Sequence, residues 1–597
     1  MKLLTSLTTL VLLLLLSSCK STELKPLPKS KLGYRCHDGH QGATLNLRHH
    51  VVQIDDGGVL VVNPRGASKQ LLGTLRPKEA GTTAEYLDTM FAFLNKPGQR
   101  PHHVIVFVNG GLNSLRVSTN RATRILADDK GHVVLRQDTA FLFINWNSSL
   151  DSYLEHLITH QGVVVPRGVL GVGGRLFWGS LNLVADAGRM ATSLPLLTAQ
   201  YYTQPGVWRA GTLSTRKLYR LDLPNPEHLQ FETSQVNQQA YNLNQALCIA
   251  PDQAMGIYLG NSKRRGSFVY HYAVPGAWQA PSVFFLPIVP WTNIAPVLGV
   301  PWGWGFTNPR LATLIAADFV ARPAWNSMLR RTQVMFVKPK PVVQIEKGQV
   351  QQQEQRAKFR SEGREKTSKL QMELGVVPQF VQRLSEYQQG RLKADGRPVT
   401  VTLMGHSMGT IVVSEILRDE LQRPDSLRLD CDAVVFLAAA CPLRDVRTKV
   451  VPYLVDNKNT RFYNLTLHPY AELTENMTAF AGRPILDGSL LVYIDRLLTN
   501  PLTPQERTAG RWHNFVLATA DTTFIPASVR NRVTLKAFGA GNRVEDGPQA
   551  HTDFGTPFLQ EKTRNAQGKR VLKRHKDFFW SHEFRNLPQV PCQPVAP

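Results

Sequence analysis

The apolar positions of this chain fall into short unbroken runs separated by polar stretches. Residues 103–108, 141–146, 399–404, 433–440, 461–467 and 533–538 are each rich in aliphatic and aromatic side chains. Runs of that length and composition predict strands buried on both faces, as in a parallel sheet covered by helices. Apolar residues at helical spacing follow the first run, over about 113–126, and the third, over 410–417. Residues 50–62, HVVQIDDGGVLVV, predict a hairpin turning at Asp55 to Gly58. Strands alternating with helices in this way predict an α/β fold, a mostly parallel sheet with helices on both faces.

The alternation breaks off between about residues 150 and 375. Residues 162–202 are glycine- and leucine-rich but interrupted by Arg167, Arg175, Asp186 and Arg189. Residues 281–306, PSVFFLPIVPWTNIAPVLGVPWGWGF, carry no charge. Their length would suit a membrane helix. Prolines at 281, 287, 290, 296 and 301 exclude one, because each removes a donor that lipid cannot replace. Two readings stay open: the buried core of a cap, or a lid whose Phe284, Phe285, Trp291, Trp302 and Trp304 line an acyl pocket or touch a bilayer. Residues 344–370 are polar and basic, which suits a solvated helix or contact with anionic headgroups. The division expected is therefore a core in two parts, 34–150 and 376–597, around a cap inserted at 151–375.

The chain has 597 residues, more than one ordinary core holds, with 43% hydrophobic and 19% charged residues and a net charge of +24. Such a charge could seek nucleic acid, anionic membrane or acidic substrate. No nucleic-acid module is visible, so no nucleic-acid partner is expected. No histidine or cysteine spacing suits a metal, and neither metal nor cofactor is expected. Cys36, Cys248, Cys431, Cys441 and Cys592 are an odd set, so at least one is free. Cys431 and Cys441 flank a predicted strand. Extended, that stretch spans about 33 Å against the roughly 7 Å a disulfide allows, which excludes the pair. The sequence specifies no oligomeric state.

The N-terminus reads as a secretory signal: Lys2, then an apolar run to Leu16. It ends Leu16-Ser17-Ser18-Cys19, which resembles the lipobox of bacterial lipoproteins. That resemblance implies that residues 1–19 form the signal, with Cys19 lipidated as the mature N-terminus. Lys20 stands where an inner-membrane-retained lipoprotein has aspartate, so the resemblance implies the outer membrane of a Gram-negative cell, on its periplasmic or surface face. Several acyl chains anchor stably where one does not. Residues 20–33, polar with two prolines, read as a tether.

The most specific chemistry lies at 399–417, VTVTLMGHSMGTIVVSEIL. A strand runs into Gly405-His406-Ser407-Met408-Gly409, and a helix follows. The G-x-S-x-G pattern alone is weak; between a strand and a helix it is strong. The stretch resembles the nucleophile elbow of the α/β-hydrolase superfamily, on its esterase and lipase side. The resemblance covers about half the chain, 100–150 and 395–585, and implies a serine nucleophile, Ser407. In that family the loop after an earlier strand gives one oxyanion-hole N–H. Here Val108 runs into Asn109-Gly110-Gly111-Leu112, with asparagine where histidine is usual. The donors implied are Gly111 or Leu112, with Met408 as the second. The family order of serine, acid and histidine implies His551, after the last strand, as base, with His575 and His582 behind it. Glu472 is the acid that fits best, with Glu475, Asp487 and Asp445 as rivals. His468 is read as a local turn residue, and His406 is given no chemistry. The expected activity is cleavage of a carboxylic ester, of lipid or lipophilic kind, through an acyl-enzyme. The same residues could serve an acyltransferase, or the fold could be retained in a non-catalytic lipoprotein that binds a partner through its cap.

Overall fold

The computed structural model describes residues 47–55, 58–61, 83–96, 100–111, 113–126, 139–148, 321–337, 374–467, 471, 472, 475, 478–480, 483–486, 489–499, 503–520, 523–539, 548–555, 558–564 and 570–578, with short pieces at 159–160, 163–164, 184–186, 188 and 241–242. Seven strands pair in parallel: β1 (Val51–Ile54), β2 (His103–Val108), β3 (Thr139–Trp146), β4 (Thr400–His406), β5 (Ala433–Leu437), β6 (Arg461–Leu467) and β7 (Val533–Phe538). Their order across the sheet is β1-β3-β2-β4-β5-β6-β7, and Tyr241–Asn242 adds an antiparallel edge beside β7. The molecule is therefore of the α/β class. The strands are apolar on both sides because both faces are covered: Val104, Val106, Phe107, Val108, Leu403, Val434, Val435, Phe436 and Leu465 are all fully buried.

Direction of travel across the sheet positions the site. The chain goes from β2 through helix α2 (Leu115–Leu126) to β3 on one side, and from β4 through α5 (Gly409–Leu421) to β5 on the other. Right-handed crossovers in opposite directions put α2 and α5 on opposite faces. The direction reverses at the carboxyl ends of β2 and β4, the place where open α/β sheets put their sites. In-register pairing from His103↔Thr400 to Val108↔Gly405 brings those ends level. Helix α1 (Thr83–Leu94) packs on α4 (Val376–Asp395), with Phe91 5.8 Å from both Phe380 and Tyr387, ring centre to ring centre. Gly396 closes α4 at φ 66, its N–H on the Leu392 carbonyl at 3.0 Å, a left-handed cap that favours glycine.

Two elements differ from the sequence expectation. Val51–Ile54 pairs in parallel with β3, and the expected hairpin is present as a short antiparallel contact: an Ile54–Leu60 bridge, with the Asp55 N–H on the Val59 carbonyl at 2.9 Å and the Val61 N–H on the Gln53 carbonyl at 2.8 Å. All four residues of β1 are buried, so the strand finds its partner inside the sheet. β5 stops at Leu437, because Ala438 turns to φ 45 and the Ala440 N–H bonds the Ser407 carbonyl. Cys431 and Cys441 are buried and free, in keeping with the excluded disulfide. The signal, the tether, the uncharged 281–306 stretch and the basic 344–370 stretch lie outside the described residues, as does most of 162–202. Of the expected cap, helix α3 (Arg322–Val334) is described, tied to the end of β3 by Arg331 Nη1 donating to the Asn147 carbonyl at 2.9 Å. Among the described residues no helix is long and apolar enough to cross a membrane.

Candidate active site

The turn from β4 into α5 carries Ser407 at φ 52, a left-handed conformation that costs a non-glycine residue energy and persists only where its surroundings hold it. The holding bonds are visible. The Ser407 N–H donates to the Leu437 carbonyl at 2.9 Å, and its carbonyl accepts from Thr410 N–H at 3.0 Å, Thr410 Oγ1 at 2.7 Å and Ala440 N–H at 3.1 Å. The flanking glycines are there for space. A Cβ on Gly405 would stand 2.9 Å from Thr410 Cα, and one on Gly409 would stand 2.3 Å from the Val108 carbonyl oxygen.

The Asn109–Gly111 loop lies against this turn. A Cβ on Gly110 would meet the Ser407 Cβ at 2.9 Å, and one on Gly111 the Met408 Sδ at 2.4 Å. Asn113 Nδ2 donates to the carbonyls of Gly110 (3.1 Å) and Gly111 (2.9 Å), and Ser148 Oγ to Gly110 (3.2 Å). In a trans peptide the N–H points opposite to the C=O. Drawing the Gly110 carbonyl toward Asn113 and Ser148 therefore turns the Gly111 N–H the other way. Among the described residues neither the Gly111 nor the Met408 N–H has a backbone acceptor. Leu112 lies outside the described residues. Asn109, standing where histidine was expected, is structural: it bonds Asn145 on the neighbouring strand, and its carbonyl accepts from Trp146 Nε1 at 3.0 Å.

His551 opens a single helical turn, His551–Gly555, beyond β7. Its Nε2 lies 3.0 Å from Ser407 Oγ, and both side chains are buried. With the hydroxyl donating to Nε2, the ring proton sits on Nδ1, as a general base requires. Burial, then the Arg121 guanidinium of α2, lower the imidazole to about 3. The His551 backbone N–H donates to Glu475 Oε2 at 2.9 Å, and the His551 carbonyl faces His406 Nε2 at 3.1 Å.

Glu472 is not hydrogen-bonded to His551. Ser489 Oγ donates to its Oε1 at 3.3 Å and Arg511 Nε to its Oε2 at 3.4 Å, while Arg511 also holds Asp495 at 3.0 Å. Burial outweighs the arginine and pushes the Glu472 carboxyl up to about 7. Asp445 is paired with Lys449 at 3.0 Å. Asp487, His468 and His582 lie outside the described residues, and His575 falls in the strand Arg570–Phe578. Among the described residues His551 Nδ1 has no hydrogen-bond partner and no acidic or histidine cluster suits a metal.

The expected Ser407, His551, Met408 and Gly111 are thus together, and Glu472 stands apart. Sequence reasoning missed Asn113 and Ser148, which orient the loop, and His406 and Arg121, which pack behind the base. Of these only His406 carried a visible signal, its place beside the serine. No protein-family model, curated protein or solved structure matches this chain.

Proposed function

We propose that the chain is a serine hydrolase of the α/β-hydrolase type that cleaves carboxylic esters through an acyl-enzyme. The observation that carries this reading is the 3.0 Å contact between Ser407 Oγ, on a left-handed strand-to-helix turn, and His551 Nε2. In the proposed reaction His551 takes the hydroxyl proton as Oγ attacks the ester carbonyl. The N–H groups of Met408 and Gly111 receive the negative charge that develops on oxygen. Collapse expels the alcohol, which takes the proton from His551. Water, activated by the same imidazole, then releases the acid and restores Ser407.

For the acid, the geometry favours Glu475 over Glu472. Glu475 already touches His551 through the backbone N–H, the one carboxylate among the described residues with a hydrogen bond to that residue. Glu472 would have to leave Arg511. The lipobox-like Cys19, the uncharged aromatic stretch and the net charge of +24 support a lipid or lipophilic substrate and a lipid anchor at the outer membrane.

The test is hydrolysis of p-nitrophenyl esters from acetyl to palmitoyl by wild type, Ser407→Ala and His551→Ala. Wild type should turn over, and each variant should lose about 10³-fold or more in kcat. Equal rates in all three would overturn the reading.

A further inference from the structure

We propose that His406 and Arg121 form a positioning pair behind the general base: His406 holds His551 by its backbone carbonyl, and the buried Arg121 guanidinium sits beneath the His551 turn as a fixed cation. The inference rests on the serine-hydrolase reading.

His406 is the last residue of β4, next to the nucleophile. The His551 carbonyl only accepts, so His406 Nε2, 3.1 Å away, must carry the proton, and Nδ1 is bare. The ring is wedged among the catalytic parts. Its centroid lies 5.3 Å from that of His551, and a Cβ on Gly110 would stand 2.7 Å from its Nδ1. A second proton would fall on Nδ1, which has no hydrogen-bond partner among the described residues.

Burial is the first reason that proton stays away, and Arg121 adds to it. Side chains of a helix lean toward its N-terminus, and for α2 that is the carboxyl end of β2, where the site lies. The guanidinium ends beneath the His551 turn: a Cβ on Gly555 would be 2.7 Å from Arg121 Cζ and 2.8 Å from Nη1. Arg121 is 8% exposed, and its Nη1 has no hydrogen-bond partner among the described residues. A buried cation without a counter-charge is costly, and its field disfavours any second cation beside it. Both His406 and His551 feel it. The groups facing His551 are Ser407, His406, Arg121 and Glu475, with Asp553 on its own turn capping the N–H groups of Gln549 and Ala550. A base must be neutral to accept the serine proton, so a fixed cation here extends activity to lower pH.

The experiment is the pH profile of kcat and kcat/KM for full-length wild type, His406→Leu, His406→Gln, Arg121→Met and Arg121→Lys, with Ser407 labelled by a fluorophosphonate in each. His406→Leu should lower kcat about tenfold with KM nearly unchanged, and His406→Gln, whose amide can donate to the same carbonyl, should recover most of it. Arg121→Met should move the acid limb of kcat/KM to higher pH, and Arg121→Lys should leave it in place. A His406→Leu enzyme with wild-type kcat, a His406→Gln enzyme as slow as the leucine variant, or an unmoved limb in Arg121→Met would overturn the pairing. Should the leucine or methionine variant not fold, His406→Phe, which also lacks the donor, and Arg121→Gln, which also lacks the charge, decide by the same criteria. Wild type that neither labels nor turns over ester removes the serine-hydrolase reading itself, which separates the two failures.

Discussion

Glu472 and Glu475 stand three positions apart, and the sequence could not choose between them. Both follow β6, where this type of site takes its acid. Tertiary contacts separate them: Arg511 and Ser489 hold Glu472, and the His551 N–H holds Glu475. Different penalties follow. If Glu475 is the acid proposed above, Glu475→Gln should lower kcat by about 10²-fold or more while leaving unfolding midpoints close to wild type, since the variant lacks the charge that would stabilise the imidazolium. Glu472→Ala should cost about 3 kcal/mol of stability in urea unfolding, because it leaves the buried Arg511 with Asp495 but without its second carboxylate, with kcat of the folded protein nearly unchanged. The reverse pattern would restore Glu472 as the acid.

At the scale of elements, the elbow works because strand, turn and helix are pressed together harder than any side chain permits. Gly409 shows this best: its missing Cβ is space taken by the Val108 carbonyl of β2, not by a flexible side chain. Gly409→Ala must push α5 off the sheet or bend β2. It should destabilise the protein by about 3 kcal/mol and lower Ser407 labelling in what remains folded. The same packing explains how far the pattern of the chain could be followed. β2, β4, β6 and β7 were legible within a residue or two, since a strand buried on both faces must be apolar throughout. The truncated β5 was not, because AVVFLAAA is equally apolar beyond Leu437, and only the bond from Ala440 to the elbow ends the strand.

For the whole molecule, the buried neutral histidines make stability depend on pH. Burial lowers His50 from 6.5 to about 4 and His551 from 6.5 to about 3. The unfolded chain therefore binds more protons between those values, and stability rises as pH increases through the window to 6.5. Glu472 acts oppositely. Raised from 4.5 to about 7, it binds its proton more tightly when folded, so its part of the stability falls between those values. Acid should unfold wild type progressively below pH 6.5. His50→Gln should flatten that slope by about 3 kcal/mol at most, measured by urea unfolding from pH 4 to 8. An equal slope in both proteins would mean that His50 takes up its proton as readily in the folded chain as in the unfolded one.

By itself the sequence determined the class of fold, the order of its strands along the chain, the strand-to-helix turn at Ser407, and the exclusion of one disulfide. Each of these follows from local pattern, since burial on two faces, a strand-to-helix turn and the reach of an extended segment leave marks within a few residues. Only the tertiary structure decided which carboxylate touches His551, that β1 joins the sheet in parallel, and that Arg121 and His406 lie behind the base. Those depend on residues from α2, β4 and the turn after β7 meeting across long sequence separations. No periodicity records such a meeting, because a buried charge or a hydrogen bond to a distant carbonyl leaves the local pattern unchanged.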